Sequence, residues 1–91
     1  MPPGNTEPIA ASLEDFIRRE SRVEADDPDF SRQVNLFDAG YLDSLGVVHL
    51  ITHLEATFGL QLSDDALADP AFVSIDGMSA IVGKLGERSN A

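Results

Sequence analysis

One serine is placed where its side chain could take part in chemistry. Ser44 lies in the run LFDAGYLDSL (36–45), where a long polar segment meets the most regular apolar pattern of the chain. A serine at such a junction commonly caps a helix, its hydroxyl accepting a backbone N–H of the first turn. The hydroxyl should also be exposed, so it could instead be chemically active. The residue type and position leave both interpretations open.

The two histidines of the chain do not complete a hydrolytic site around Ser44. His49 and His53 both follow the serine on the next predicted helix, and nothing nearby forms an obvious Ser-His-acid set. Their spacing of four residues would place both on one helix face, as two metal ligands require. The run HLITH lacks the glutamate of an HExxH zinc helix, however, and no third ligand is evident. We therefore expect no metal site and a solvated, partner-facing histidine pair.

Two amphipathic patterns flank the long polar segment. The first predicts a helix that Thr6 caps and that ends at about Ser21. Its buried stripe consists of Ile9, Leu13, Phe16 and Ile17. The second predicts a helix from about Ser44 to Phe58, with Gly59 as a left-handed residue at its end. Its buried stripe consists of Leu45, Val48, Ile51, Leu54 and Phe58, widened by Leu50.

Two further helices are predicted in the second half of the chain. Ser63 caps a short helix that cannot pass Pro70, and Ser74 caps a last helix that ends at Gly86. The buried face of that last helix consists of Ile75, Met78, Ile81, Val82 and Leu85. Between the first two helices, residues 22–43 keep no regular period, which predicts a long loop. Its apolar anchors to the core are Val34, Leu36, Phe37 and Leu42. No strand pattern occurs, so the fold class is an all-α bundle of four helices.

Length and composition restrict the function further. Ninety-one residues suit one domain, which we expect over 6–86 between a disordered leader (1–5) and a polar tail (87–91). With 16 acidic and 6 basic residues the formal charge is −10, which excludes nucleic acid and anionic membrane surfaces as partners. Cysteine, a signal-peptide pattern and an apolar run of membrane-spanning length are all missing. We expect a cytoplasmic monomer that does not insert into membranes.

From about Thr6 to Leu85 the sequence resembles the acyl and peptidyl carrier protein family. The order of parts is similar: a first helix, a long loop, Asp-Ser-Leu opening a second helix, a short third helix and a fourth. The resemblance includes the run LFD at 36–38, before the serine, and the pairs LE at 54–55 and FG at 58–59, late in the second helix. It implies the four-helix carrier-protein bundle.

The resemblance also implies a cofactor and partners. Ser44 would be the attachment point of 4′-phosphopantetheine, which a separate phosphopantetheinyl transferase takes from coenzyme A. The chain would be a carrier that holds an acyl or aminoacyl group as a thioester, and not an enzyme. Asp43 would face the transferase, and Leu45 would be a motif residue. The other partner-recognition residues would be Gly46, Val47, Val48, His49, Thr52 and His53. An adenylating ligase or an acyltransferase would load the arm, and downstream synthase enzymes would use the cargo.

Two departures bear on the subtype. The run GYLDS (40–44) looks more like stand-alone D-alanyl carriers and the discrete carriers of unusual extender units such as methoxymalonyl, which points to secondary metabolism. The outer face of the second helix offers a lone acid, Glu55, where typical fatty-acid carriers display several, so fatty-acid synthase partners are not expected. Cargo and pathway stay open. The alternative is an acidic helical interaction module in which Ser44 only caps a helix; a small hydrolase is weaker still, because no base is positioned for Ser44.

Overall fold

A computed structural model describes residues 6–89, which fold into four helices. These are α1 (Glu7–Glu20), α2 (Ser44–Phe58), α3 (Asp64–Ala68) and α4 (Ile75–Ser89). The described part of the chain contains no strand, so the predicted all-α class and the order of helices are confirmed. The predicted leader 1–5 and the last two residues of the predicted tail lie outside the described residues.

Apolar side chains from three helices and from the loops form one core. Leu13, Leu50 and Met78, one from each long helix, are completely buried. The remaining buried apolar residues are Ala10, Ile17, Phe30, Leu36, Leu42, Leu54, Leu60, Leu62, Phe72, Ile75 and Val82. Burial of this kind is the main source of stability in a chain without disulfide bonds. The short α3 contributes no fully buried residue and packs at the edge of the core.

Of the predicted caps and ends of three helices, two caps are observed, and one cap and one helix end are not. The Ser63 and Ser74 hydroxyls accept the N–H groups of Ala66 and Gly77, as predicted for two caps. Thr6, in contrast, makes no side-chain cap, because its backbone already has helical angles and lacks the extended conformation that a capping residue needs. The predicted end at Gly86 is also wrong: α4 continues to Ser89, since a glycine inside a helix costs only about 1 kcal/mol.

The predicted buried face of α2 is wrong at its start. Leu45 and Val48 are 64% and 55% exposed, whereas Gly46, Leu50 and Leu54 face the core. Apolar residues spaced by three drift around a helix of 3.6 residues per turn, so such a stripe cannot stay on one face. Gly46 has no side chain to mark the true buried face in the sequence.

The long loop 22–43 is attached to the helices at both ends of the bundle. Leu36 and Leu42 are buried in the core, as predicted, and Val34 and Phe37 are partly buried against it. The Arg32 guanidinium donates to the carboxylates of Glu7 and Glu14 on α1, and its backbone carbonyl accepts the Asp76 N–H at the start of α4. The hydrogen bond from Arg32 lowers the pKa of Glu14 despite partial burial.

Candidate functional site

The N-terminus of α2 is built around Asp43, which takes the capping position that one interpretation gave to Ser44. Asp43 has an extended backbone, and its Oδ1 accepts the Gly46 N–H at 2.7 Å. Ser44 is the first residue of the helix, and its side chain is exposed. The interpretation of Ser44 as a helix cap is therefore wrong, because the residue before it performs that task. The Ser44 hydroxyl is left available for chemistry.

Gly46 lies directly beneath this cap and cannot contact a partner. The residue is buried, and an added Cβ would lie 3.3 Å from both Asp43 Oδ1 and Leu42 Cδ2. A side chain at this position would crowd the capping carboxylate and the buried leucine. The prediction that Gly46 belongs to the docking surface is therefore wrong. Its small size instead gives Asp43 and Leu42 room at the helix start.

The exposed face of α2 beside Ser44 is apolar and uncharged. Leu45 and Val48 lie on this face together with Thr52, whose hydroxyl donates to the Val48 carbonyl at 3.0 Å. Two large exposed apolar side chains next to one another are a feature of interaction surfaces. These three residues are called the outer surface below. All three are among the residues that the sequence analysis expects to contact partners.

Both histidines contact α1; His49 stays exposed to solvent, as expected, whereas His53 packs against Phe16 and does not form the expected solvated pair with it. His49 is half exposed, and its Nδ1 lies 2.8 Å from the Glu20 carboxylate. The His53 Nε2 lies 3.3 Å from the Ser12 hydroxyl, and its ring stacks on Phe16 with centroids 4.5 Å apart. Periodicity placed both on one face but could not show which helix that face meets. Both rings help to hold α2 against α1.

Among residues 6–85, whose side chains the structure describes, no group of three or more His, Asp or Glu side chains is placed to hold a metal ion. None of the helices within residues 6–89 is long and apolar enough to cross a membrane.

An apolar crevice runs along the other side of α2. Val47, which is half-buried, and Ile51 form one wall, with Phe37 from the long loop beside them. The rest of the lining comes from residues 67–70 together with Phe72 and Val73, and the crevice measures about 460 Å³. Val47 lies three residues, about one helical turn, after Ser44. The crevice that Val47 lines is therefore within reach of a long group attached to the serine.

The electrostatic character of the site is acidic. No lysine or arginine occurs between Val34 and Gly83, while Asp43, directly before Ser44, and Asp38, six residues before it, are exposed. The first turn of α2 nevertheless has the partial positive charge and unpaired N–H groups of a helix N-terminus. A phosphodiester on the Ser44 hydroxyl would lie next to these groups, so the residues present fit a phosphate-linked arm.

An exposed serine at the start of a capped helix, in a small four-helix bundle, offers a hydroxyl to which an arm can be attached covalently. The family model described as "Phosphopantetheine attachment site" matches residues 11–81. The chain belongs to this family. As a member of this family, it carries a covalently attached 4′-phosphopantetheine.

Curated relatives match a shorter segment. The D-alanyl carrier proteins of Streptococcus pyogenes serotype M5 (strain Manfredo) and serotype M49 (strain NZ131) are each 61% identical to it over 28 residues. The match covers 31% of this chain and 35% of each relative, so only about a third of either protein is compared. No solved structure gives a significant match.

The sequence did not indicate the contacts around Tyr41, which lies three residues before Ser44. Its hydroxyl donates to Asp27 Oδ2 at 2.9 Å, and its ring meets Phe30 edge to face. Phe30 is buried, although it stands among charged residues and was not among the predicted loop anchors. Two aromatic residues eleven positions apart in a loop give no periodic signal that could have shown this.

Proposed function

We propose that this protein is a stand-alone carrier whose phosphopantetheine arm is attached to Ser44. The observation that supports the proposal is the division of tasks at the start of α2. Asp43 caps the helix, and Ser44 is exposed beside it with no capping task of its own. The terminal thiol of the arm would hold an acyl or aminoacyl group as a thioester and present it to successive enzymes.

The outer surface and Asp43 are the proposed contacts for those enzymes. Leu45, Val48 and Thr52 are exposed along α2 after Ser44, and Asp43 places a carboxylate directly before the serine. Half-buried Val47 would contribute through the rim of the crevice, and His49 through its exposed ring edge. His53, which stacks on Phe16, would act only indirectly by holding α2 in place.

The apolar character of the outer surface supports dedicated partners in secondary metabolism. Charge complementarity decides which encounters are productive more than it decides affinity. A surface of leucine, valine and threonine offers little to an enzyme that selects several carboxylates on this helix. An adenylating ligase or a dedicated acyltransferase is thus the proposed loading enzyme, and downstream synthases are the proposed users. The proposed place of action is the cytoplasm, with the carrier as a monomer.

An aminoacyl cargo has specific support. The relatives matched over 28 residues are named for the D-alanyl group that they carry. An acyl chain would instead occupy the crevice lined by Val47 and Ile51. Intact mass of the protein from its native host would identify the group.

The attachment site is tested by intact mass after incubation with coenzyme A, Mg²⁺ and a broad-specificity phosphopantetheinyl transferase. The native sequence should gain one arm, and Ser44→Ala should gain none. The variant should keep its helical content, because Asp43 supplies the cap and alanine suits the first turn. Ser63→Ala, which removes a serine at another helix start, should still gain one arm. Modification of Ser44→Ala would refute the assignment.

A further inference from the structure

Tyr41 connects the segment before Ser44 with two distant parts of the chain. Its backbone carbonyl accepts a hydrogen bond from the Ser21 hydroxyl, and Ser21 is the residue that ends α1. Its side-chain hydroxyl donates to Asp27 in the middle of the long loop, and its ring packs against Phe30 at 5.1 Å between centroids. One residue therefore joins α1, the long loop and the approach to α2.

The backbone on either side of Tyr41 is held as well. The Leu36 carbonyl accepts the N–H groups of both Tyr41 and Leu42, at 2.9 and 3.1 Å. Gly40, with φ of +84°, forms the turn after which the Tyr41 and Leu42 N–H groups can reach the Leu36 carbonyl. Leu42 is then buried next to Gly46, which leaves Asp43 at the start of α2. The position of the cap thus depends on contacts made two residues earlier.

Phe30 is buried and contacts α1, so its ring offers Tyr41 a well-packed surface. The Arg18 guanidinium of α1 lies over the Phe30 ring, 4.6 Å from its centroid. Phe30 is 9% exposed, although the loop around it carries many charges. Tyr41 therefore packs against a buried ring that Arg18 of α1 also contacts.

We propose that Tyr41 is a positioning residue for arm attachment: with Asp27 and Phe30 it holds the Asp43–Ser44 helix start in the conformation that the transferase binds. This inference rests on the proposed attachment at Ser44. Tyr41 touches no reacting atom and acts through the backbone of Leu42 and Asp43. It also brings the acidic loop to the site, because Asp27 is its hydrogen-bond partner.

The hydroxyl serves as a stable donor in this role. Tyrosine is protonated at physiological pH even with its ordinary pKa of about 10, and partial burial and the Asp27 carboxylate raise the pKa of Tyr41 further. Without this hydrogen bond the long loop would be more mobile in the free carrier. The loop would then lose more conformational freedom when the transferase binds. Such ordering weakens binding without changing the chemical step. The effect should therefore appear in the transferase KM for the carrier, with kcat unchanged.

The test compares three variants in the transferase reaction at a temperature where each is folded by circular dichroism. Tyr41→Phe keeps the ring and loses the hydroxyl; it should raise KM about three- to tenfold, the fold-change of one net hydrogen bond. Asp27→Asn leaves one acceptor oxygen for two donors, the Tyr41 hydroxyl and the Asp29 N–H, and should raise KM similarly. Asp26→Asn is the matched control, since it removes the same charge one residue away, and should leave KM near the native value.

A double variant at Tyr41 and Asp27 shows whether the two residues act through their shared hydrogen bond or whether the loss of the Asp27 charge acts by itself. The double variant Tyr41→Phe with Asp27→Asn should be no worse than the more affected single variant, because both remove one interaction. Amide hydrogen exchange should quicken in residues 41–46 of Tyr41→Phe and stay unchanged in α4.

An unchanged KM in Tyr41→Phe would overturn the inference, and so would an equal effect of Asp26→Asn. A lowered kcat with native KM would overturn it too. If the native protein gains no arm at all, the attachment proposal itself has failed.

Discussion

Asp43 has two separable tasks at the start of α2, and substitutions can measure each. Its Oδ1 accepts the Gly46 N–H at 2.7 Å, which is a capping bond, and its exposed carboxylate is the proposed contact for the transferase. Charge reversal to lysine would remove both at once and would give no clear answer. Asparagine and serine keep an oxygen that can cap a helix, but they carry no charge, whereas alanine removes the cap as well.

The structure sets the expected sizes of these effects. Asp43→Ala should lower the free energy of unfolding by about 1 kcal/mol, the usual value of a helix N-cap. Asp43→Asn and Asp43→Ser should lower it by at most about 0.5 kcal/mol, which is the loss of one charge at the positive end of the helix. All three should slow arm attachment by up to about fivefold at low salt, the effect of one exposed charge pair worth at most about 1 kcal/mol.

Two assays distinguish the tasks. Urea denaturation followed by circular dichroism gives the free energy of unfolding of the unmodified protein, and intact mass over time gives the attachment rate. The difference in rate between the native protein and Asp43→Asn should shrink as salt is added, since exposed charges are screened within about 10 Å at 0.1 M ionic strength. Equal stability of the asparagine and alanine variants would refute the capping role. A native rate for Asp43→Asn at low salt would refute the contact.

Two predictions concern stability. Gly77→Ala should destabilise the fold by about 1–3 kcal/mol, because the new Cβ would lie 1.7 Å from the Ala71 carbonyl oxygen; Gly83→Ala in the same helix meets only side-chain atoms and should cost less, as thermal unfolding of both variants would show. Glu14→Gln should lose about 1 kcal/mol at neutral pH, because the Arg32 guanidinium stabilises the ionised carboxylate in the folded state. Since the pKa of Glu14 is lowered on folding, that contribution disappears as the pH falls below about 4.5, and urea denaturation should show the two proteins converging there. A constant difference across this pH range would contradict the assigned pair.

Several features of the fold were predictable because they depend on neighbouring atoms alone. A serine hydroxyl that caps a helix bonds to an N–H three residues ahead, so the Ser63 and Ser74 caps could be predicted from the sequence. Gly59 ends α2 in the left-handed conformation for an equally local reason. The position of Ser44 is predictable in the same way, since it stands where the apolar pattern of α2 begins, but its role as an attachment point follows only from the resemblance to the carrier family.

The face that each helix turns to the core was harder to predict. The apolar spacing in α2 predicted that Leu45 and Val48 face the core. Gly46 is buried instead, because the Leu42 side chain packs so closely that a Cβ on Gly46 would lie 3.3 Å from it. Burial depends on the summed fit of all surfaces, and a glycine carries no hydropathy by which a sequence pattern could mark it. The consequence is functional, because the two exposed side chains form most of the outer surface.

The sequence alone determined the helical class, the order of the helices and the serine at the start of α2, since periodicity and caps act within a few residues. The tertiary structure decided which residue caps that helix, which side of it stays exposed and what the histidines touch. His53 stacks on Phe16 and Tyr41 bonds to Asp27, across separations in the chain that no local pattern spans. Such contacts form only when the core has fixed the helices and the long loop relative to one another, because each is too weak to fold the chain by itself.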